Sequence, residues 1–313
     1  MERFGFAGRR VVQMLPVALG ITIITFVLIH LIPGDAVSAL LGNHYTPQSA
    51  ARLRATMGLD QPLWTQYLFF MGNLLHGSLG DSIYYSQPVV NVVGERLEAT
   101  VWLVVYASLL AALIAVPLAI VAALHRDSFV DQLIRATFMV TLAMPAFWFG
   151  IILLIVFSVN LHLFPVTGFG DSFFDHLWHL FLPSLTIALG FGAVLIRSLR
   201  NSILSVLRAD YVDTARAKGL PWRLILRRHV LRNAILSTVT IFGVNVAFLM
   251  GATVVIENVF AIGGIGQLLV SSILQRDYAV VQGITLLLAF FVVAINLLVD
   301  IVYAWLDPRV SYD

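Results

Sequence analysis

Asp171, Asp175, His176 and His179 could place two carboxylates and two imidazoles in one short segment. His176 and His179 sit about one helical turn apart, so with the acids they could ligate a divalent metal. A polar loop at a wet surface explains the same residues and is the commoner arrangement, so no metal site is expected. Gly168-Phe169-Gly170-Asp171 spells G-x-G-D, a pattern in which aspartate can hydrolyse a peptide bond at membrane depth. That chemistry needs a second carboxylate within proton-sharing distance, and Asp171 instead falls in a loop after an apolar segment. Gly263-Gly264-Ile265-Gly266 lacks the strand and the acidic residue of a dinucleotide site, and reads as a turn into a short half-helix over residues 267–274. The chain has a single lysine, Lys218, and no G-x-x-x-x-G-K-[ST], so it cannot build a Walker-type phosphate cradle. It has no cysteine, which excludes disulfides, thiol catalysis and Cys-ligated zinc. No catalytic residue, metal or cofactor is expected in this chain.

The surrounding elements are apolar. The chain is 59% hydrophobic and 12% charged, far from an ordinary soluble domain. Six apolar runs stand out, over residues 11–32, 100–124, 136–160, 181–196, 234–256 and 281–305. A hydrocarbon core of ~30 Å needs ~20 helical residues. Five runs suffice; the run 181–196 is short and needs its helix to continue through Arg197. The expected fold class is an all-α integral membrane protein with six spans. Pro145, before Phe147-Trp148-Phe149, is expected to kink the third span, and Pro117 the second.

The charges orient this bundle. With the N-terminus inside, segments 1–10, 125–135, 197–233 and 306–313 face the cytoplasm and hold fifteen of the nineteen basic residues. Only Arg52, Arg54, Arg96 and Arg276 fall on the other side, as the positive-inside rule requires. The net charge of +2 therefore reflects arginines at the inner leaflet, and nucleic acid is not an expected partner. Arg3, Arg9 and Arg10 precede an apolar run too long for a signal-peptide core, and no small-residue cleavage site follows; the first helix is expected to be retained.

Residues 33–98 form an external segment between the first two spans. Thr46-Pro47 reads as an N-cap with Pro at N1 for a helix over 48–57 ended by Gly58. Asp60-Gln61-Pro62 starts a second helix, with Trp64, Tyr67, Leu68, Met71, Leu74 and Leu75 near one face, stopped at residues 76–81. This segment can cap the bundle or receive an external partner.

Residues 197–232 carry nine of the nineteen basic residues. The pattern over 201–218 is one helix, with Leu204, Leu207, Tyr211, Val212 and Ala215 near one face. Gly219 suits the left-handed position after a helix. Pro221 suits the first turn of the next helix, whose apolar side holds Trp222, Ile225, Leu226, His229 and Val230. Such a face must be buried against lipid headgroups or protein.

Here the chain resembles ABC importer permeases of the peptide/nickel group. Residues 210–219, Asp-Tyr-Val-Asp-Thr-Ala-Arg-Ala-Lys-Gly, look like their coupling-loop motif: Asp213, Ala215 and Gly219 fit, while Thr214 replaces an alanine and the downstream Ile-x-Leu-Pro is absent. Residues 228–234, Arg-His-Val-Leu-Arg-Asn-Ala, look like the peptide-permease version instead. Further landmarks lie in order at 32–35, 58–62, 76–80, 257–260 with 263–266, 276–278 and 306–309. The resemblance implies a type I importer permease fold with both termini cytoplasmic, in a bacterial or archaeal cytoplasmic membrane. It implies that Asp210, Tyr211, Asp213, Ala215, Lys218 and Gly219 couple the chain to an ATP-binding subunit, with Tyr211 and Ala215 sharing the docking face. It also implies the other partners: a second homologous permease subunit, an external solute-binding protein, and ATP with Mg held by the ATP-binding subunits. The division expected is 1–32, 33–98, a five-helix core 99–305 containing the coupling loop 197–233, and a tail 306–313.

Polar residues within spans are candidates for the pathway or a gate. These are Asn245, Glu257, Asn296 and Asp300, with Pro145 at the expected kink; Asp300 could equally pair with Arg197 or Arg135. The substrate expected is a dipeptide or oligopeptide. Nickel complexes, glutathione-like peptides, or a stand-alone transporter without an ATPase are the alternatives.

Overall fold

The structure is a computed structural model and describes residues 2–31, 41, 46–56 and 58–306. The landmarks at 32–35 and 307–309, Met57 and the tail 307–313 lie outside the described residues. Twelve helices are described: α1 (Glu2–Leu31), α2 (Pro47–Thr56), α3 (Leu63–Leu75), α4 (Val89–Leu124), α5 (Phe129–Ala143), α6 (Ala146–Leu153), α7 (Phe173–Leu207), α8 (Asp210–Ala217), α9 (Trp222–Leu224), α10 (Arg232–Val259), α11 (Ile265–Gln275) and α12 (Tyr278–Leu306). Helix α6 runs on through a π-helical turn, Leu154–Asn160, and α9 joins α10 through another, Ile225–Leu231. Among the described residues the β-structure is one antiparallel bridge, Asp81 to Pro88.

Among the described residues four stretches are long and apolar enough to cross a membrane, α4, α7, Thr238–Val259 and Tyr278–Val299, and five if the broken α5–α6 segment counts as one span. The short fourth run is resolved by length, because α7 has 35 residues and extends at both ends. At 1.5 Å per residue it reaches about 52 Å, well beyond a ~30 Å core. The third run differs from expectation. Helices α5 and α6 meet at 105° across Met144-Pro145, so this is a broken segment and not a kinked helix. Proline lacks the N–H that would continue the ladder, and it forces the preceding Met144 into an extended conformation (ψ 140°). Pro117, by contrast, sits within the unbroken α4.

The chain divides into two compact units. The first comprises residues 1–100 and 263–291. Its core is Val89, Val92, Val93, Ile265, Leu268, Val280 and Ile284. Thr46 caps α2 as expected: its Oγ1 accepts from the Ser49 N–H (3.1 Å) while Ser49 Oγ accepts from the Thr46 N–H (3.0 Å). Helix α3 lies on α1 through Tyr67, which hydrogen-bonds Thr22 (2.9 Å) and meets the Phe26 ring edge-on. Of the face expected for α3, Trp64, Leu68 and Leu75 are exposed, and Phe70 joins the packed side. The helix is apolar on nearly every side, so spacing alone could not select its buried face. Asp277 is buried just before α12, where it accepts from Ser82 Oγ (2.5 Å) and the Tyr84 N–H (3.1 Å). The glycine turn opens α11 two residues earlier than expected. Gly263 takes φ +82°, its N–H is held by Gln267 Oε1 (2.8 Å), and Thr100 Oγ1 accepts the first helical N–H, from Ile265 (2.9 Å).

The second unit comprises residues 101–262 and 292–313. Its centre is α7, packed against α10, α5 and α6. Within this unit α4 buries Ala107, Ala111, Ala115, Ala119 and Ala123, a four-residue repeat of small side chains on one face.

Candidate functional site

The basic loop forms its site from two helices and a turn. The single helix expected over 201–218 is broken. Helix α7 ends at Leu207, Ala209 is extended (φ −81°, ψ 140°), and α8 begins at Asp210. The break rotates α8 so that Val212 and Ala215, 0% and 5% exposed, turn into the chain's own core. Of the two residues expected to share the docking face, Ala215 is thus turned inward and Tyr211 stays half-exposed. A side chain buried in its own subunit cannot also line a partner's groove. The outward residues are Asp210, Asp213, Thr214, Arg216, Ala217 and Lys218, with Tyr211 half-exposed at the edge.

Both ends of α8 are fixed. At its start, the Tyr211 hydroxyl accepts from Asn233 Nδ2 (3.1 Å), and that amide also donates to the His229 carbonyl (2.8 Å). At its end, the Gly219 N–H donates to the Arg216 carbonyl (2.9 Å) and the Leu220 N–H to that of Ala215 (3.3 Å), with Gly219 at φ +73°. This is the paired 5→2 and 6→1 closure that a left-handed glycine permits. Asp210 and Asp213 fall in the first turn and Arg216 in the last, as the helix dipole favours. Arg216 also pairs with Asp213 (3.3 Å) and covers the Trp222 ring (5.4 Å).

The second helix is not a separate hairpin arm. From Trp222 it continues through the π-helical turn into α10 and so into the fifth apolar run. Ile225, Val230 and Ala234 are buried, with Leu226 and His229 partly so; Trp222 is exposed. The outward surface of α8 is thus mounted between α7 and α10, two helices that run on into apolar segments.

One buried charge cluster escaped the residue patterns. Asp131, 0% exposed, receives Arg200 Nε on Oδ1 (2.8 Å) and Nη2 on Oδ2 (2.5 Å). It also receives the Asp127 N–H (3.0 Å) and pairs with Arg135 (3.3 Å). Arg135, offered as a partner for Asp300, is therefore engaged by Asp131. The available signal was an arginine on the face of α7 shared by Ile196, Leu199 and Ile203, all buried.

The remaining candidates scatter. Asn245 is partly buried, and its amide donates to the Ile241 carbonyl (2.7 Å). Glu257 is buried near the end of α10, and Asn296 is exposed on α12. Asp300 lies on α12, its side chain outside the described residues. Pro145 marks the 105° break. Asp171 is exposed. His176 stacks on Phe169 (3.9 Å between centroids) with Nδ1 on that residue's carbonyl (3.0 Å), and His179 Nδ1 meets the Asp175 carbonyl (2.9 Å). Asp175 Oδ2 accepts from Ser172 Oγ (2.6 Å) at the start of α7. Among the described residues no three His, Cys, Asp or Glu side chains converge as a metal site.

Comparison with known proteins places this geometry. Residues 115–312 match the binding-protein-dependent transport system inner membrane component, and residues 1–104 match the N-terminal part of such membrane components. The oligopeptide transport system permease protein AppB of Bacillus subtilis is 38% identical over 310 residues, covering 97% of this chain and 98% of that protein. The dipeptide transport system permease protein DppB of Escherichia coli K12 is 35% identical over 334 residues, covering 98% of each. A solved structure of the MetNI methionine ABC transporter, in an inward-facing conformation, shares the fold with a TM-score of 0.59 at 15% identity, over 69% of this chain and 96% of that one. The chain belongs to the family of binding-protein-dependent transport system inner membrane components: it is a multi-pass membrane permease of the ABC importer class and not a catalytic subunit.

Proposed function

We propose that the chain forms half of the translocation pathway of an ATP-driven importer of dipeptides and oligopeptides in a bacterial inner membrane. The observation that carries this reading is the outward face of α8, held by the Tyr211–Asn233 bond and the Gly219 closure between two long helices. A short helix with both ends pinned transmits a push; a floppy loop absorbs it. ATP-binding subunits seat on Asp210, Asp213, Thr214 and Ala217. Their closure around ATP and Mg displaces α8, and α7 and α10 carry the displacement to the spans, alternating access by rigid-body motion. The chain's lack of a phosphate cradle agrees with ATP being held by those subunits. A second permease subunit completes the pathway, and an external binding protein delivers the peptide. Asn296, exposed on α12, is the foremost pathway candidate.

The peptide assignment is supported by the names of the relatives, which favour neither nickel complexes nor glutathione-like peptides. The test is reconstitution of the permease pair, ATP-binding subunits and binding protein into liposomes. Uptake of a labelled dipeptide that needs both ATP and the binding protein is expected. Uptake that proceeds without ATP-binding subunits would overturn the reading in favour of a stand-alone transporter.

A further inference from the structure

The stretch from Trp222 into α10 carries four arginines on the side away from its buried residues. Arg223, Arg227, Arg228 and Arg232 are all exposed, while Ile225, Val230 and Ala234 are buried. The π-helical turn creates this alignment. An α-helix repeats every 3.6 residues, and the wider π winding over Ile225–Leu231 keeps residues four and five apart in one stripe. Arg126, Arg135, Arg200 and Arg216 each have a carboxylate partner. Among the described residues none of the four stripe arginines has one.

The stripe also sits at a defined depth. The apolar run on this helix, residues 234–256, begins two residues after Arg232 and spans about 34 Å, matching a ~30 Å hydrocarbon core. Arg232 lies about 3 Å before that boundary along the axis, and Arg227 and Arg228 at most about 11 Å. Headgroup layers add roughly 5–8 Å on each side of the core, and arginine side chains reach several ångströms along their helix. The guanidinium groups of Arg227, Arg228 and Arg232 thus stand at phosphate level, with Arg223 at its outer edge. Trp222 and Leu224, both exposed beside the stripe, supply the amphipathic ring and apolar edge that interfacial segments use.

We propose that Arg223, Arg227, Arg228 and Arg232 form a binding site for an anionic phospholipid headgroup, of phosphatidylglycerol type, beside the coupling helix. The proposal rests on the reading of this loop as cytoplasmic and coupled to ATP-binding subunits. Lipid phosphates neutralise the stripe and fix the base of α10, leaving the opposite side to α8. Free phosphate is a weaker ligand, because it lacks the fixed array of charges that a lipid surface presents along the stripe.

The test is binding of headgroup-labelled phosphatidylglycerol, compared with labelled phosphatidylcholine, to the detergent-purified transporter. Wild type is expected to prefer phosphatidylglycerol, and less so at high salt. Arg227→Gln with Arg228→Gln should reduce that preference roughly 25-fold, since each basic residue at an anionic surface contributes about fivefold. ATP-binding subunits should still co-purify. Arg227→Lys with Arg228→Lys keeps the charge and should retain most of the preference, which separates lipid binding from a folding defect. An unchanged preference in the glutamine variant overturns the proposal. So does loss of the ATP-binding subunits with lipid preference intact, which would make the stripe a protein interface. Failure of wild type to hold ATP-binding subunits would contradict the importer reading alone, because lipid binding is read on the permease itself.

Discussion

Asp131 and Arg200, 69 residues apart in sequence, form a buried two-pronged ion pair that clamps the start of α5 to the lower half of α7. Nε and Nη2 of Arg200 each take one carboxylate oxygen, and the Asp127 N–H and Arg135 occupy the remaining acceptor positions. Arg200 is seven residues from the end of α7, and three residues later α8 begins. The clamp therefore braces the stem on which α8 is mounted.

Removing one partner leaves the other charged and buried. Asp131→Ala is expected to destabilise the second unit by about 3–5 kcal/mol, whereas replacing both with apolar residues of similar volume costs far less. Thermal unfolding of the detergent-purified permease, followed for Asp131→Ala and for Asp131→Leu with Arg200→Met, checks this. Equal losses in both would mean the pair's charge complementarity is irrelevant.

Gly219 isolates backbone conformation from space. A β-carbon added there meets nothing within 4 Å, so only its φ of +73° resists substitution. Gly219→Val should abolish stimulated ATPase activity while the protein still inserts. Gly219→Asn, whose side chain tolerates the left-handed region, should keep much of it. Matching activity in the two variants would remove the turn from the coupling account.

The loop 81–85 hangs on Asp277. Asp277→Ala leaves Ser82 Oγ and the Tyr84 N–H without their acceptor, a cost of about 1–3 kcal/mol for the buried Ser82 hydroxyl and less for the partly exposed Tyr84 N–H. Amide exchange at residues 82–85 should accelerate at least tenfold, while α7 is unaffected. Unchanged exchange there would show that the bridge between Asp81 and Pro88 holds the loop unaided.

Because the chain has no cysteine, orientation can be read with single introduced thiols. Asp171→Cys should react with a membrane-impermeant maleimide on intact cells, and Ser205→Cys only after permeabilisation. Both positions are exposed, so access is limited by the membrane alone. Labelling of Ser205→Cys on intact cells would invert the topology and remove the cytosolic partner.

Sequence read this molecule best where one residue decides the local backbone. Thr46 as a cap, Gly219 as a left-handed closure and the glycine turn before α11 were legible because cap and φ preferences are local. The face of α3 was not, since a helix apolar all round leaves its contacts to choose. Nor was the break at Arg208-Ala209, which contains neither proline nor glycine and exists because Val212 and Ala215 gain burial by it. With that break, Ala215 is buried and Thr214 and Ala217 face outward, which is why the proposed docking face uses them. Arg200 was legible as a charge on the cytoplasmic side, but its partner Asp131 needed the packing of α5 on α7.

The claim that α8 docks an ATP-binding subunit through its outward face is tested most directly by thiol protection. Thr214→Cys and Ala217→Cys place thiols on that face, and Ser205→Cys serves as an exposed control on α7. Maleimide labelling would be followed on the purified permease pair with and without ATP-binding subunits. The account predicts that positions 214 and 217 label freely in the permease alone and are shielded at least tenfold in the complex, with position 205 unchanged. Equal labelling of 214 and 217 with and without the ATP-binding subunits would contradict it.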